Sequence, residues 1–539
     1  MVMLDKSEAL TLFADAYKTG HRVQYPSGVT EINVNFTPRN TKYLNRSIAT
    51  DGRLVVYGLK SGLKTLKTIF DCFFESDIEL AIANYKKTCD SLLGKDVVDM
   101  TPWKQLHDLG YMPLEFRVLP EGTLIKEGTP VLTMHNTHPD FYWLPNYIEV
   151  LLTVLLWKPF TIANIAREYR LLGEYWAEKT GCPKEFVDYQ FHDFSMRGSA
   201  CIEDAYHVGR AWLQYFKGSD NIFACATLGD DAPRGFSSVP ATEHSVMCCG
   251  SQENEFETYK RLLTETYPSG ILSIVSDTWD YFQVLTDFLP RLKDTILGRE
   301  GKLVIRPDSG NPFDIVCGTK HFYLADEKYD LEEEAHRLFE EFYAFEVSST
   351  GGFIFNVVHG KEYFQVEGWV SSFGNEDEPE YTLSIIRKIE PTPEEKGSIL
   401  LLWELFGGSL NEKGQKVLDP HIGLIYGDGI TLDVSNRILS RLNDYGFCSS
   451  NIVFGVGAFS FHVTRDTLGF ATKATYSIEN GVEKNLIKNP KTGGNKKSHK
   501  GLLFVHIQDG IAVGVSEEVS RNRYFSTDNG LQKVEFDAL

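Results

Sequence analysis

At 539 residues and 61.0 kDa the chain has room for two to four domain-sized units and a core that needs no disulfides. A hydrophobic fraction of 42% and a charged fraction of 24% exclude a mainly disordered or collagen-like protein. A net charge of −20 argues against nucleic acid and anionic membranes as partners.

In chain order, the first signal is helical. Leu59, Leu63, Leu66, Phe70 and Phe73 recur on one face of a helical pattern over residues 55–93. Over 112–134, short alternating runs are cut by Pro120-Glu121-Gly122 and Glu127-Gly128, which predicts a small β domain. Apolar residues nearly all round predict a buried helix over about 143–175. From about 190 to 465 the pattern changes. ILSIVSDTWD (271–280), KLVIRPDSGNP (302–312), IGLIYGDGI (422–430) and NIVFGVGAF (451–459) are almost continuously apolar and stop at Gly or charge. Such runs suit parallel strands covered on both faces. Helices are expected between them, at 253–266 and 433–444. Repeated strand, polar tip and helix is the pattern of an α/β barrel, whose chemistry sits on the loops after the strands. An open doubly wound sheet produces a similar pattern and is the alternative.

Residues 320–400 interrupt that rhythm. EEEAHRLFEEF reads as an acidic helix, FIFNVV and YFQVEGWVSSF as strands, and FGNEDEPE as an exposed turn. Residues 321–400 hold 18 Asp+Glu and 6 Lys+Arg, so they carry −12 of the −20. The expectation is an acidic insertion on the outside of the barrel. The rest of the chain is mildly acidic, which leaves room for a local basic pocket. After 465 the β-like segments return, around the basic loop KNPKTGGNKKSHKG (488–501).

Nine cysteines, an odd count with no C-x-x-C pair, indicate neither a disulfide framework nor a zinc module. Reduced thiols in the cytoplasm are expected. The start, MVMLDKSEALTLFADAYK, mixes acids with apolar residues and lacks a secretory apolar core. The apolar stretch from Val150 to Trp157 is too short to cross a bilayer. The Asn45-Arg46-Ser47 sequon is therefore read as accidental.

Several residues at the predicted tips carry chemistry. Gly455-Val456-Gly457 follows a strand and can bring backbone N–H groups to a phosphate, or simply turn the chain. Arg465 and Lys473 lie near the same tip, and the basic loop adds Lys488, Lys496, Lys497 and Lys500. Those lysines read as an anion site or as a solvated loop. Arg306 and Asp308 in RPDSG offer a guanidinium for phosphate or ring and a carboxylate for sugar hydroxyls; an internal ion pair closing the turn is the alternative. His192-Asp193-Phe194-Ser195-Met196-Arg197-Gly198 gathers an imidazole, a carboxylate, an aromatic ring and a guanidinium, suited to a flat heteroaromatic and a pyrophosphate. Glu243-His244-Ser245 offers a histidine beside an acid, and Asp277 is a candidate orienting carboxylate.

Together these motifs resemble the nicotinamide phosphoribosyltransferase family, in family order from residue 15 to about 505. The resemblance rests on Asp15-Ala16-Tyr17-Lys18, Tyr57-Gly58-Leu59, the His192 to Gly198 segment and Ser238-Val239-Pro240-Ala241-Thr242-Glu243-His244-Ser245. It rests also on Ile305-Arg306-Pro307-Asp308-Ser309-Gly310-Asn311-Pro312, Tyr426-Gly427-Asp428-Gly429 and Thr464-Arg465-Asp466. It implies an irregular α/β barrel over 166–465, joined to a β-rich domain built from both chain ends, 1–165 and 466–539, with the insertion at 320–400. It also implies a homodimer with active sites at the interface.

The implied reaction moves ribose 5-phosphate from phosphoribosyl pyrophosphate to nicotinamide, with Mg²⁺ held through substrate and water and with ATP as an optional co-substrate. By resemblance Phe194 and Tyr17 of the partner subunit sandwich the ring, Arg306 lies beside it, and Asp220 accepts the carboxamide N–H. A carboxylate there repels nicotinate. Arg197, His244 and Arg306 would hold pyrophosphate. Asp308, Gly427 and Asp428 would hold ribose and Mg²⁺-bound water. Gly457, Arg465, Arg39, Lys473 and Lys488 would hold the 5-phosphate. His244 would also carry the phosphoryl group in ATP hydrolysis, supported by Glu243 and Asp277. The chain departs from the family at Ala16, where Ser is usual, at Val456, Ala458 and Phe459 in a shortened loop, and in the insertion. The rival readings are a nicotinate phosphoribosyltransferase, a non-catalytic binding protein of the same fold, and an unrelated phosphate-binding barrel.

Overall fold

The structure, a computed structural model, describes residues 6–343, 350–373, 379–492 and 497–538. Residues 374–378 of the expected exposed turn, and Lys496, lie outside the described residues. The chain forms two compact units. Unit 1 is Met1–Asn45, Thr50–Arg167 and His462–Leu539; unit 2 is Arg46–Ala49 and Glu168–Phe461.

Unit 1 is built on a six-stranded antiparallel sheet. Its spatial order is Val482–Asn485, Ala471–Glu479, Val29–Thr37, Leu132–Asn136, Leu114–Val118 and Gln532–Lys533. Strands from the two chain ends are therefore direct neighbours, and Asn35 faces Lys473. The helical pattern at 55–93 resolves into two helices, Leu59–Glu75 and Ile78–Leu93, preceded by the short strand Leu54–Val55. Ser76 leaves the helix in an extended conformation, and Asp77 starts the next by accepting the N–H groups of Glu79 and Leu80. The five apolar residues of the first helix face inward: Leu59, Leu63, Leu66, Phe70 and Phe73 are fully buried.

The expected buried helix is shifted along the chain: Leu144–Tyr147 is a separate short helix, and the long one spans Glu149–Thr180. It is long and apolar enough, by length and composition alone, to cross a membrane. The Val150–Trp157 stretch understated it, because Thr153 and Lys158 do not end a helix. Its polar positions are tied within the fold. Arg167 grips Asp51, Glu168 pairs with Arg46, and Arg170 pairs with Asp188. Leu152, Leu156, Phe160 and Leu172 are fully buried. The apolar faces thus serve as core.

Unit 2 carries a five-stranded parallel sheet. Its strands are β1 (Phe191–Asp193), β2 (Ser269–Val275), β3 (Glu300–Arg306), β4 (Ile422–Tyr426) and β5 (Val453–Val456), in spatial order β1-β5-β4-β3-β2. Parallel bridges at Asp193↔Ser219, Gly218↔Ser237 and Ala241↔Ser273 lie beside its outer strands. Leu272, Ile274, Leu303, Ile305, Leu424, Phe454 and Val456 are buried, as their apolar runs require. The helix expected at 433–444 spans Leu432–Asp444. The one expected at 253–266 is a short 3₁₀ turn, the helix Glu255–Arg261 and a wider π turn, Leu262–Thr266.

The acidic stretch forms its own four-stranded sheet from Phe322–Ala325, Gly351–His359, Glu362–Phe373 and Pro379–Ile389. The helix Leu331–Leu338 packs on it. Ala335, Leu338 and Phe339 meet Phe353, Phe355, Val366 and Val370 in a separate apolar cluster.

Candidate active site

The parallel strands end at one edge of the sheet, and residues at or just past the ends of β1, β3, β4 and β5 line a single cleft of about 820 Å³ in unit 2. This volume suits a small organic substrate. After β1, the Phe194 N–H donates to the Val456 carbonyl at 3.0 Å, which fixes the Phe194 backbone beside the tip of β5. The ring lies on two glycines. A Cβ at Gly455 would stand 2.3 Å from its edge carbons, and one at Gly427 would stand 3.1 Å from it and 3.0 Å from Asp308 Oδ1. Arg197 follows in the turn Met196–Gly198. The β3 tip supplies Arg306 and Asp308, the β4 tip Gly427 and Asp428, and the β5 tip Gly457. Asp220, Glu243 and His244 complete the expected group on this cleft.

Asp277, past the end of β2, lies just beneath. Its Oδ2 accepts the Asp308 N–H at 2.9 Å and the Ser309 hydroxyl at 2.5 Å, so it ties the β2 tip to the β3 tip. Its Oδ1 is buried without a hydrogen-bond partner and stands 3.9 Å from His244 Nε2. His244 Nδ1 meets Thr278 Oγ1 at 3.1 Å. Glu243 accepts from the Ser245 hydroxyl. Tyr426 donates to the Ser309 and Gly310 carbonyls. Burial, with Asp428, Asp277 and Asp308 nearby, raises its pKa further above the usual tyrosine range.

Arg306 forms no ion pair with Asp308 among the described residues, so the turn-closing alternative fails. Its Nη2 donates instead to the Thr242 carbonyl at 2.5 Å, and its Nε is buried without a partner. Asp193 is fully buried; burial pushes its carboxyl up, opposed by bonds from the Ser195 N–H and hydroxyl. Burial also acts to raise Asp220, yet bonds from His192 and Ser238 and the charge of Arg306 hold it below the usual carboxylate value.

The remaining expected residues belong to unit 1. Arg39 and Lys473 line a cleft of about 300 Å³ that Lys497 and His499 also line. Burial lowers the pKa of both, and neighbouring cations add to the effect: Arg465 for Arg39, and Arg39 and Lys488 for Lys473. Arg465 is exposed beside Asp466, and the Lys488 N–H donates to Ser498 Oγ. Tyr17 is exposed in the turn Ala16–Gly20, edge-on to His21.

Sequence reading missed the partners that hold these groups. Thr242 and Thr278, next to Glu243 and Asp277, were visible only as neighbours of singled-out residues. The bonds from His192 and Ser238 to Asp220 join segments 28 and 18 positions apart and leave no local signal.

The nicotinate phosphoribosyltransferase (NAPRTase) family matches this chain over residues 189–341 and 385–527. A nicotinamide phosphoribosyltransferase of Acinetobacter baylyi is 40% identical over 517 residues, covering 93% of this chain and 88% of the relative. One of Mycoplasma pneumoniae is 32% identical over 513 residues, covering 91% and 94%. Among solved structures, a nicotinate-nucleotide pyrophosphorylase from Pyrococcus furiosus aligns with a TM-score of 0.48 at 12% identity, covering 94% of this chain and 83% of that one. With more than half of its length matched by the family and a relative of 40% identity along nearly all of it, the chain belongs to the nicotinate phosphoribosyltransferase (NAPRTase) family.

Proposed function

We propose that this chain is a pentosyltransferase of NAD salvage. It transfers ribose 5-phosphate from phosphoribosyl pyrophosphate to the ring nitrogen of nicotinamide, releasing nicotinamide mononucleotide and pyrophosphate. The observation that carries the reading is the unit 2 cleft, where one aromatic ring, two guanidinium groups and the carboxylates Asp220, Asp308 and Asp428 converge at the strand tips. The names of the Acinetobacter and Mycoplasma relatives support the same substrate.

The barrier is departure of pyrophosphate from a sugar that gains oxocarbenium character, so positioning and fixed charge dominate. Phe194 is the bed for the pyridine ring, and Tyr17 of the partner subunit covers its other face in a homodimer with active sites at the interface. Asp220 accepts the carboxamide N–H and repels the nicotinate carboxylate. Arg197, His244 and Arg306 take the pyrophosphate, and Asp308, Gly427 and Asp428 the ribose. Gly457, Arg39, Arg465, Lys473 and Lys488 are assigned to the 5-phosphate.

Mg²⁺ fits as an ion held through substrate and water. Asp308 and Asp428 line the cleft and would hold it through bound water. The ion would neutralise pyrophosphate charge. In an ATP-linked mode His244 accepts the γ-phosphoryl group, with Asp277 and Glu243 as supporting carboxylates; its contact with Thr278 supports one ring nitrogen being held while the other reacts.

The parallel sheet is proposed to close into an irregular barrel within 166–465. Support comes from the bridges that continue from β1 through Ser219, Ser237 and Ala241 to β2. The segment 320–400 is then an insertion, in line with its separate sheet and with the break in the family match at 342–384. Residues 1–165 and 466–539 form the second domain. The compartment proposed is the cytoplasm.

A product assay tests the reading. Purified protein receives phosphoribosyl pyrophosphate and Mg²⁺ with nicotinamide or nicotinate, with and without ATP. Nicotinamide mononucleotide from nicotinamide alone is expected. Product from nicotinate alone would overturn the substrate, and no product from either would favour a binding protein.

A further inference from the structure

The carboxylate of the ring pocket is held on one side only. Asp220 Oδ1 accepts from His192 Nε2 at 3.0 Å and from the Ser238 hydroxyl at 2.5 Å. Its Oδ2 has no partner among the described residues. The two side chains differ in exposure: 46% for Asp220 and 12% for His192. An ionised carboxylate only accepts, so His192 carries its proton on Nε2. The other ring nitrogen, Nδ1, packs on Gly218, where an added Cβ would come within 2.7 Å of it. The imidazole also lies 5.2 Å from the Phe194 ring. It therefore touches both the bed of the ring pocket and the carboxylate at its end.

We propose that His192 sets the selectivity of this pocket between an amide and an acid through its own charge. Neutral, it holds Asp220 as an anion with Oδ2 left for an N–H donor on the ring. Protonated at Nδ1, it cancels that anion, and a ring carboxylate is no longer repelled. The inference rests on the assignment of Asp220 to the ring substituent. Among the described residues, Arg306 and Asp193 act on the pair as charged groups, and Cys225, its thiol pushed up by burial, lies close enough to feel Asp193 and Asp220. Arg306 acts on Asp220 with a charge that does not change at ordinary pH. Asp193, the buried carboxylate next along the chain, feels His192 and is bonded to Ser195 and Ser219.

The test is the ratio of kcat/KM for nicotinamide to that for nicotinate, measured in competition with shared phosphoribosyl pyrophosphate and Mg²⁺ between about pH 5.5 and about pH 8. Groups that act equally on both substrates cancel in this ratio. In the wild type the preference for the amide should fall by at least roughly tenfold toward acid, the scale of a neighbouring charge. His192→Gln keeps an N–H donor for Asp220 and cannot titrate. It should retain the amide preference of the higher pH and show a flat ratio. A flat wild-type ratio overturns the proposal. So does a slope that survives in His192→Gln, which would assign the effect to Asp193. Should His192→Gln be insoluble, nitrogen-15 NMR of the wild-type imidazoles decides. The His192 midpoint must coincide with the midpoint of the selectivity change, and a separate midpoint refutes the idea. Asp220→Asn distinguishes the underlying assignment: if it leaves selectivity unchanged at every pH, the role given to Asp220 fails; if it relaxes selectivity, only the role of His192 is at stake.

Discussion

Gly455→Ala isolates the bed of the ring pocket. Gly455 is not in the left-handed region, so its backbone tolerates alanine and the whole effect is steric. The new Cβ would stand 2.3 Å from Cδ2 and Cε2 of Phe194 and 2.9 Å from the Gly427 Cα. Carbon atoms rest at about 3.5 Å, so something must retreat by roughly an ångström. Gly427 is backbone at a strand tip, whereas Phe194 is half-buried with the open cleft on one side. The phenyl ring is the part that moves. Overpacking costs about 1–3 kcal/mol, and a ring that can swing into open space sits at the low end. The ring then no longer offers a flat face. An aromatic pair is worth about 0.5–1.5 kcal/mol beyond burial, which corresponds to a rise of roughly 2- to 12-fold in KM for nicotinamide. Initial rates with each substrate varied in turn, together with a thermal melt, give the answer. KM for nicotinamide should rise, KM for phosphoribosyl pyrophosphate should hold, and the melting temperature should fall modestly. A destabilised protein with wild-type KM for nicotinamide would show that the ring does not rest on Phe194.

Other perturbations reach the rest of the site. Under the proposed assignment Asp220→Asn removes a charge that repels a carboxylate, so the ratio of nicotinate to nicotinamide turnover should rise by about tenfold or more at neutral pH; an unchanged ratio ends that assignment. His244→Ala should abolish ATP hydrolysis while leaving some ribosyl transfer, read by phosphate release and product formation in parallel; ATPase that survives places the phosphoryl acceptor elsewhere. Glu255 is buried, its Oε1 has no partner, and burial together with Asp280 pushes its carboxyl up to about 7. The unfolded carboxyl ionises near about 4.3, so the folded state binds the extra proton and stability falls as pH rises between these values. Glu255→Gln should therefore gain stability over the wild type at pH 8 and not at pH 4 in denaturant melts; a gain independent of pH would refute the cause. Replacing residues 325–395 by a short linker removes the acidic sheet and its apolar cluster apart from residues 322–324, and circular dichroism should show the remainder folded.

Much of the lining of the candidate cleft is legible in the sequence. A strand covered on both faces must be apolar throughout, so the first polar residue after it marks a strand tip. Arg306, Asp308, Asp277, Asp428 and Gly457 stand at such places, and the structure puts Asp277 beneath the cleft and the others on its wall. Helix ends were less legible. Apolar spacing continues through Ser76, and only the Asp77 cap separates the two helices there. The long helix outran its apolar stretch because buried ion pairs let charged residues sit inside it.

What the sequence by itself determined is the class of fold, the places where chemistry emerges from it, and the family to which it belongs. These are local properties, since periodicity, strand-end residues and short motifs are read from neighbours in the chain. Tertiary structure alone decided which groups meet. Sheet register brings Asn35 of one chain end opposite Lys473 of the other. Two strand tips join when Asp277 takes the N–H of Asp308, and Asp220 becomes a one-sided acceptor when His192 and Ser238 reach the same oxygen. Such contacts follow from the packing of segments distant in sequence, and no local pattern records them.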